Sequence, residues 1–340
     1  MTASILTTAA AIISFVITAV LGKILIPVLH KIKYGQPIKD IGPTWHKKKQ
    51  GTPTMGGIMF IIGITVTAVV CVLLFYFLNS ENNLGGSIDD SPAQKVRLFG
   101  GLIMSLGCAL LGFVDDYIKV VKKNNNGLSA KQKLIFQILL ALSFALALYS
   151  VGDTLLVVPM IGSFNLGIFY IPVVAFIITA TINAVNLTDG LDGLASSVTL
   201  IFALCFMIIA SFLTYNSTSV FAGAAAGGLI GFLMYNFYPA KVFMGDTGSM
   251  FLGGLVCTLA FSVGIPLLII PMGIIYFIET LSVIIQTTYF KITHGKRIFK
   301  MTPIHHSFEM SGWHEIRIVA LFTLITFIGG FLGFLWVYFW

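Results

Sequence analysis

Long apolar segments are the feature that most restricts how this chain of 340 residues can fold. A helix crosses the hydrocarbon core of a bilayer with about 20 apolar residues. Only 10% of the residues are charged, whereas soluble domains carry roughly 25%. We therefore expect an all-α polytopic membrane protein of about ten transmembrane helices, forming a single integral membrane domain over residues 1–340. The apolar segments are 3–29, 53–78, 96–113, 132–150, 169–185, 194–213, 219–236, 250–263, 265–290 and 316–338.

The basic residues lie almost entirely in alternate connections between these segments. Of the 20 Lys and Arg residues, all but Lys95 and Arg97 fall on one side of a ten-span arrangement. The positive-inside rule assigns that side to the cytoplasm and places both termini outside. The stretch 153–167 alternates weakly between apolar and polar residues and contains Pro159 and Gly162, which predicts a small hairpin on the outer side.

Two adjacent carboxylates follow the third apolar segment. Asp115 and Asp116 repel each other, so the pair is costly unless protons or a cation compensate the charge. A divalent metal with oxygen ligands provides such compensation. Lys119 lies on the same face if the helix continues. A solvated helix end is the alternative interpretation of this pair.

Two further cytoplasmic connections combine aspartates with glycines. Asp189 and Asp192 belong to the sequence NAVNLTDGLDGLA at 183–195, where the glycines permit tight turns close to a ligand. Asp246 belongs to NFYPAKVFMGDTGS at 236–249, and a helix beginning there would offer backbone N–H groups to a phosphate. A polar interfacial turn and a helix N-cap are the structural alternatives.

Titratable groups also occur near the C-terminal end. His305 and His306 can transfer protons, bind phosphate or ligate a metal, although two loop histidines are weak evidence. Glu279 lies inside the ninth segment, where a carboxylate is expected to face the bundle interior. A pair with Lys or Arg from a neighbouring helix is the structural alternative for this residue. Glu279 could instead serve an ion-coupled transporter, but the other polar groups lie at helix ends rather than near the midplane.

The aspartates and lysines are best explained together. Carboxylates bind Mg²⁺, and Mg²⁺ with lysines binds phosphates, which fits phosphoryl transfer on a diphosphate. The membrane setting makes one substrate a lipid. No soluble fold remains for nucleic-acid binding, despite a net charge of +7.

Five motifs give the chain a family resemblance. It resembles the polyprenyl-phosphate N-acetylhexosamine-1-phosphate transferase superfamily over essentially its whole length. The motifs are GTPTMGG at 51–57, DDxxK at 115–119, NLTDGLDGLA at 186–195, FMGDTGS at 243–249 and PIHH at 303–306. A non-catalytic scaffold would give four costly polar loops no purpose.

The resemblance implies a homodimeric, Mg²⁺-dependent enzyme of the bacterial inner (plasma) membrane with its active site on the cytoplasmic face. The TPTMGG and PIHH motifs favour transfer from UDP-N-acetylmuramoyl-pentapeptide to undecaprenyl phosphate, with release of UMP. A sister enzyme that uses UDP-N-acetylglucosamine is the alternative. The active site would be formed by loops 30–52, 114–131, 186–193, 237–249 and 291–315.

The resemblance also assigns roles to individual residues. Asp246 would bind Mg²⁺, and Asp115, with Asp116, Asp246 and His305, would be catalytic. Ser307 stands where the family often has a third histidine, so a third proton carrier is not expected here. Direct attack of the lipid phosphate and a covalent phosphate on Asp115 both remain open. The expected substrate-binding residues are Lys119, Asn186, Asp189, Asp192, Asn236, Phe243 against the uracil, Gln286 and His306.

Overall fold

Helices make up nearly all regular structure in the computed structural model, which describes residues 2–31, 49, 51–80, 88–122 and 127–340. A helix satisfies its own backbone hydrogen bonds, as a segment in lipid must. The all-α membrane fold class is thereby confirmed. The elements are α1 (Thr2–Lys31), α2 (Gly57–Ser80), α3 (Pro92–Lys95), α4 (Gly101–Lys122), α5 (Ala130–Ser150), β1 (Leu155–Val158), β2 (Gly162–Asn165), α6 (Tyr170–Thr188), α7 (Leu194–Phe212), α8 (Asn216–Asn236), α9 (Gly245–Ser262), α10 (Ile269–Met272), α11 (Ile274–Ile292), α12 (Ile304–Glu309) and α13 (Glu315–Tyr338).

Each of the ten apolar segments overlaps a helix, and the structure bears differently on how many of them span the membrane. Among the described residues, eight helices are long and apolar enough to cross a membrane. A ninth span results if the helices Pro266–Met272 and Ile274–Ile292, bent by 78°, count as one. The α9 helix begins with the polar residues Asp246, Thr247 and Ser249, which lower its hydropathy. The expected ten spans therefore stay a prediction.

Small residues bring α9 close to its neighbours on two sides. A side chain at Gly253 would collide with the backbone of Ile182 on α6, and one at Gly254 would collide with Ser105 on α4. Close backbone approach through small residues is the usual way in which helices associate in lipid. The α9 helix is thus held between α4 and α6, and its first turn lies between the C-terminal ends of those two helices.

The predicted hairpin at 153–167 is confirmed. The β1 and β2 strands pair antiparallel, with Leu155 opposite Asn165 and Val158 opposite Gly162. Arg97, between α3 and α4, donates to both carboxylate oxygens of Asp153 at 2.6 and 2.7 Å. This bidentate pair ties the base of the hairpin to the bundle at the end opposite Asp115 on α4.

Candidate active site

Three carboxylates from two helices converge at one end of the bundle. Asp115 and Asp116 lie in the last turns of α4, and Asp246 lies in the first turn of α9. One oxygen from each of the three side chains lies within 4.8 Å of the other two. A side chain at Gly112, one turn earlier on α4, would collide with the backbone at Asp246. The glycine therefore allows the two helices to bring the carboxylates together.

Two lysines neutralise part of this charge. The Nζ of Lys119 lies 2.6 Å from Asp115 Oδ2, 3.8 Å from Asp116 Oδ1 and 3.0 Å from Asp246 Oδ2. The Nζ of Lys133 lies 2.9 Å from Asp115 Oδ2 and 2.6 Å from Asp246 Oδ2. With all five groups ionised, three negative and two positive charges leave the cluster at −1. The shared face expected for Lys119 is observed.

Lys133 was missed by the sequence analysis. It belongs to the first turn of α5, which the hydropathy pattern assigned to an apolar segment. The signal that could have indicated it is a lysine just after the capping box of Ser129 and Gln132, at the polar end of a membrane helix. A charge at that depth is favourable only if a partner accompanies it.

The three carboxylates suit a hard divalent cation. Oxygen ligands on opposite sides of an octahedral Mg²⁺ are about 4.2 Å apart, close to the spread of these oxygens. Asp246 retains 20% side-chain exposure, so a cation can reach it, whereas Asp115 is fully buried. The donor set of the cluster therefore fits a hard divalent cation such as Mg²⁺, with Asp246 as the most accessible ligand.

Asp116 holds the first turn of α9. Its carboxylate accepts hydrogen bonds from Asp246 N at 3.2 Å, Thr247 N at 2.9 Å and Thr247 Oγ1 at 2.7 Å. A carboxylate at a helix N-terminus satisfies free N–H groups and interacts favourably with the helix dipole. Asp115 accepts instead from Leu128 N at 2.7 Å. The two adjacent aspartates thus have different surroundings.

The TPTMGG and FMGDTGS motifs are joined through their backbones. Gly56 N–H donates to the carbonyl of Phe243 at 2.8 Å, and Phe243 N–H donates to the carbonyl of Pro53 at 2.8 Å. Gly57 N–H donates to the carbonyl of Met244 at 3.1 Å. This short pairing fixes the approach of the chain to α9 and positions Asp246.

The end of α6 contributes Asn186 and Asp189. The Asn186 amide donates to Asp246 Oδ1 at 3.1 Å and to Ser249 Oγ at 2.7 Å, so it belongs to the cluster. Burial, reinforced by the carboxylates of Asp246 and Asp116, raises the pKa of Asp189 from 3.8 to about 8. Asp189 is therefore mostly protonated at neutral pH, and a neutral carboxyl does not repel an anionic diphosphate.

Asp192 belongs to a second ionic cluster. Its Oδ1 lies 2.7 Å from Lys49 Nζ, and its Oδ2 accepts from Ala240 N at 2.9 Å. Glu315 accepts from Lys49 Nζ at 2.6 and 2.8 Å through its two oxygens. Burial lowers the pKa of Lys49, but Glu315 and Asp192 outweigh it and leave the pKa above its ordinary value. Sequence reasoning assigned no role to Lys49 or Glu315.

His305 lies against the aspartate-rich loop. A side chain at Gly190 would collide with the His305 ring, and the ring nitrogen nearest to it is Nε2. His305 Nδ1 lies 2.9 Å from Glu279 Oε1. Glu279 faces the bundle interior as expected, but its observed partner is a histidine rather than Lys or Arg. The carboxylate orients the ring and leaves Nε2 directed at the loop.

The remaining predicted residues lie outside the carboxylate cluster. Asn236 accepts from Ser196 Oγ at 2.8 Å and donates to the Val242 carbonyl at 3.0 Å. Gln286 accepts from the N–H groups of Ile298 and Phe299, both at 3.0 Å, and so holds the chain after α11. Phe243 is half-buried. His306 Nδ1 lies 2.7 Å from Glu309 Oε2.

Comparisons with known proteins give a consistent result. The family described as Glycosyl transferase family 4 matches residues 98–264, and phospho-N-acetylmuramoyl-pentapeptide-transferase signature 1 matches residues 49–61. The phospho-N-acetylmuramoyl-pentapeptide-transferase of Clostridium botulinum is 46% identical over 329 residues, covering 96% of this chain and 95% of that protein. The corresponding protein of Clostridium novyi is 46% identical over 330 residues, covering 95% and 94%. That of Clostridium perfringens is 44% identical over 326 residues, covering 96% and 95%.

Proposed function

Because the chain belongs to the phospho-N-acetylmuramoyl-pentapeptide-transferase family, we propose that its aspartate–lysine cluster carries out the reaction of that family. The enzyme transfers phospho-N-acetylmuramoyl-pentapeptide from UDP to undecaprenyl phosphate and releases UMP. The observation that supports this assignment is the convergence of Asp115, Asp116 and Asp246 with two lysines at the ends of apolar helices. A lipid phosphate and a soluble diphosphate can meet at such a place.

Magnesium is the proposed cofactor, with Asp246 as a ligand and Asp115 beside it. When bound, the ion would neutralise charge on the diphosphate and on the UMP leaving group. Lys119 and Lys133 would share that task, because each already contacts both Asp115 and Asp246. The two lysines would thereby help to bring the two anionic substrates together.

Direct attack of the lipid phosphate on the β-phosphorus is the mechanism we favour. A phosphate monoester has its second pKa near 6, so at neutral pH the lipid phosphate is mostly dianionic and needs little help from a base. Asp115 would accept a residual proton or position a lysine, since its Oδ2 lies within 2.6 and 2.9 Å of Lys119 and Lys133. Isolation of a phosphorylated enzyme formed without lipid phosphate would refute this route in favour of a covalent phospho-aspartate.

The nucleotide half of the substrate is proposed to bind beside the cluster. Asp189 and Asp192 come from the loop that follows α6, and Phe243 from the loop that precedes α9. Asn186 bonds directly to Asp246 and would couple the two halves of the site. His305, held against Gly190, would complete the site from α12. The other proposed substrate-binding residues are Lys119, Asn236, Gln286 and His306.

A location and an assembly are proposed as well. We place the enzyme in the bacterial inner membrane with the loops 30–52, 114–131, 186–193, 237–249 and 291–315 on the cytoplasmic face, where basic residues concentrate. UDP-linked substrates would reach the cluster from that side. A homodimer is proposed from the family resemblance.

The decisive assay follows radiolabelled UDP-N-acetylmuramoyl-pentapeptide into lipid, with undecaprenyl phosphate and with or without Mg²⁺. Wild-type enzyme should form lipid product only with Mg²⁺, and Asp246→Asn should lose that turnover. Asp90→Asn is a matched control, because Asp90 is 52% exposed and lies away from the cluster. Full Mg²⁺-dependent turnover by Asp246→Asn would contradict the metal assignment. Preference for UDP-N-acetylglucosamine would support the sister enzyme.

A further inference from the structure

Glu315, the first residue of α13, binds two other parts of the protein at once. Its two carboxylate oxygens accept from Lys49 Nζ at 2.6 and 2.8 Å. Its Oε1 also accepts from the backbone N–H of Asp192 at 2.5 Å. Glu315 is only 7% exposed, so these bonds are little weakened by water. One carboxylate thus joins the start of α13 to a residue before the TPTMGG motif and to the aspartate-rich loop.

The second half of the cluster makes the connection rigid. Lys49 Nζ lies 2.7 Å from Asp192 Oδ1, and Asp192 Oδ2 accepts from Ala240 N at 2.9 Å. Both the backbone and the side chain of Asp192 are therefore fixed. The loop held in this way also contains Asp189 and Gly190, and Gly190 is the residue against which His305 lies. A substitution at Glu315 can therefore alter the position of this loop, although Glu315 does not contact the aspartate cluster.

Stability alone does not account for this arrangement. One ammonium and two carboxylates leave a net charge of −1 in a nearly buried place. Removing such charges from water costs about as much as the pairing returns, so a buried ion pair is weak evidence for stability. The directional bonds of Glu315 have a clearer consequence, because they fix where the Lys49 ammonium lies and how the Asp192 backbone is oriented.

The cluster also forms the wall of a cavity. A cavity of about 460 Å³ is lined by Lys49, Asp192 and Glu315 together with the aromatic residues Tyr238 and Trp313. Lys49 keeps 18% side-chain exposure. Cavities of about 300 to 1,000 Å³ with a few convergent polar groups are typical of small-molecule sites. The fixed lysine and aspartate are therefore presented to a ligand rather than enclosed in the core.

We propose that Glu315 is a positioning residue for binding of the UDP-linked substrate, acting through Lys49 and Asp192. This inference rests on the proposed function, in which Asp192 contributes to the nucleotide pocket. Glu315 lines the same cavity, but its two oxygens are engaged by Lys49 and by the backbone N–H of Asp192, so its role is to hold these groups. It holds the ammonium and the loop in the geometry that the nucleotide meets, so the free enzyme does not have to order them on binding.

The test measures both substrates in steady-state kinetics. Glu315→Gln keeps the shape and an acceptor for the Asp192 N–H but removes the charge that holds Lys49. We expect the KM for UDP-N-acetylmuramoyl-pentapeptide to rise about tenfold. Loss of a hydrogen bond to a charged group weakens binding by about a factor of ten or more. Lost ground-state binding leaves kcat within about threefold, and the KM for undecaprenyl phosphate should not change.

A double-mutant cycle connects the effect to Lys49. Lys49→Gln should raise the same KM, and Lys49→Gln combined with Glu315→Gln should be little worse than either single change. Asp90→Asn is the matched control, because it also replaces a carboxylate by an amide, and Asp90 is 52% exposed and does not line the cavity. If Glu315→Gln does not fold, Glu315→Asp, with a shorter side chain, should raise the same KM.

The results separate this inference from the function on which it rests. An unchanged KM for the UDP substrate in an active Glu315 variant overturns the positioning role. The role is also overturned if the KM increases of the two single variants simply multiply in the double variant. Equal changes in the KM of both substrates also overturn it, because they would indicate a general structural role. Wild-type enzyme that forms no lipid product and releases no UMP would instead refute the proposed function.

Discussion

Replacement of Lys133 by glutamine tests how charge is balanced in the proposed active site. Lys133 contributes one of the two ammonium groups among three carboxylates and lies 2.9 Å from Asp115 and 2.6 Å from Asp246. Glutamine keeps most of the length and removes the charge. The ionised cluster then changes from −1 to −2. Lys119 remains, with its own bonds to Asp115 and Asp246.

Two opposite effects are expected from this change. A lysine about 4 Å from a bound divalent cation repels it by about 2 kcal/mol even at the dielectric constant of water. Its removal should therefore lower the Mg²⁺ concentration for half-maximal activity about tenfold or more. The same charge would stabilise the transferring phosphoryl group, so kcat should fall by a factor of about 10². Tighter magnesium binding with slower turnover is the expected combination.

The assay is a magnesium titration of lipid-product formation at saturating concentrations of both substrates. Lys131→Gln is the matched control, since Lys131 is exposed in the same first turn of α5 and its charge is screened by solvent. The control should change neither constant by more than about twofold. A Lys133→Gln enzyme that needs more magnesium, or that keeps wild-type kcat, would refute the charge balance described here.

Three further outcomes are expected. Gly190→Ala should lower turnover at least about tenfold, because its new methyl group would meet the His305 ring; product formation measures this. The pKa of Asp189 is about 8 in the folded, ligand-free protein and 3.8 in the unfolded chain. The protonated carboxyl therefore stabilises the folded state fully below pH 4, and this contribution is lost as the pH rises through 8. Thermal unfolding should show this loss in wild-type protein, and Asp189→Asn should lack it. Thr247→Ala removes a hydroxyl bond to Asp116 and should lower the free energy of unfolding by about 1 kcal/mol, measured by chemical denaturation in detergent.

Much of the fold could be predicted because few backbone structures satisfy their hydrogen bonds within a membrane. Apolar length identified the helices, and weak alternation with Pro159 and Gly162 identified the hairpin, now seen as β1 and β2. The number of spans was harder to predict. The α9 helix has polar residues in its first turn, and α10 and α11 are bent at Gly273. Length and hydropathy alone therefore do not determine whether these helices are counted as spans.

The site was predicted where residue types were unusual and missed where they were ordinary. Paired aspartates and glycine-flanked aspartates are costly at the end of a membrane helix, so Asp115, Asp116 and Asp246 were conspicuous. Lys49 resembles any other lysine of a basic loop, and Lys133 is distinguished only by its place at the polar end of a membrane helix. The importance of both follows from partners on distant segments, and the sequence around each lysine does not identify those partners.

The structure separates two adjacent aspartates that the sequence presents as a pair. Neighbouring residues of a helix point about 100° apart, because an α-helix has 3.6 residues per turn. Asp116 faces α9 and accepts three hydrogen bonds from Asp246 and Thr247. Asp115 faces the two lysines and Leu128 N. We infer that Asp116 mainly holds the backbone that carries Asp246, whereas Asp115 lies closer to the chemistry. On this inference, one carboxylate of the adjacent pair fixes the helix while the other remains among the charges.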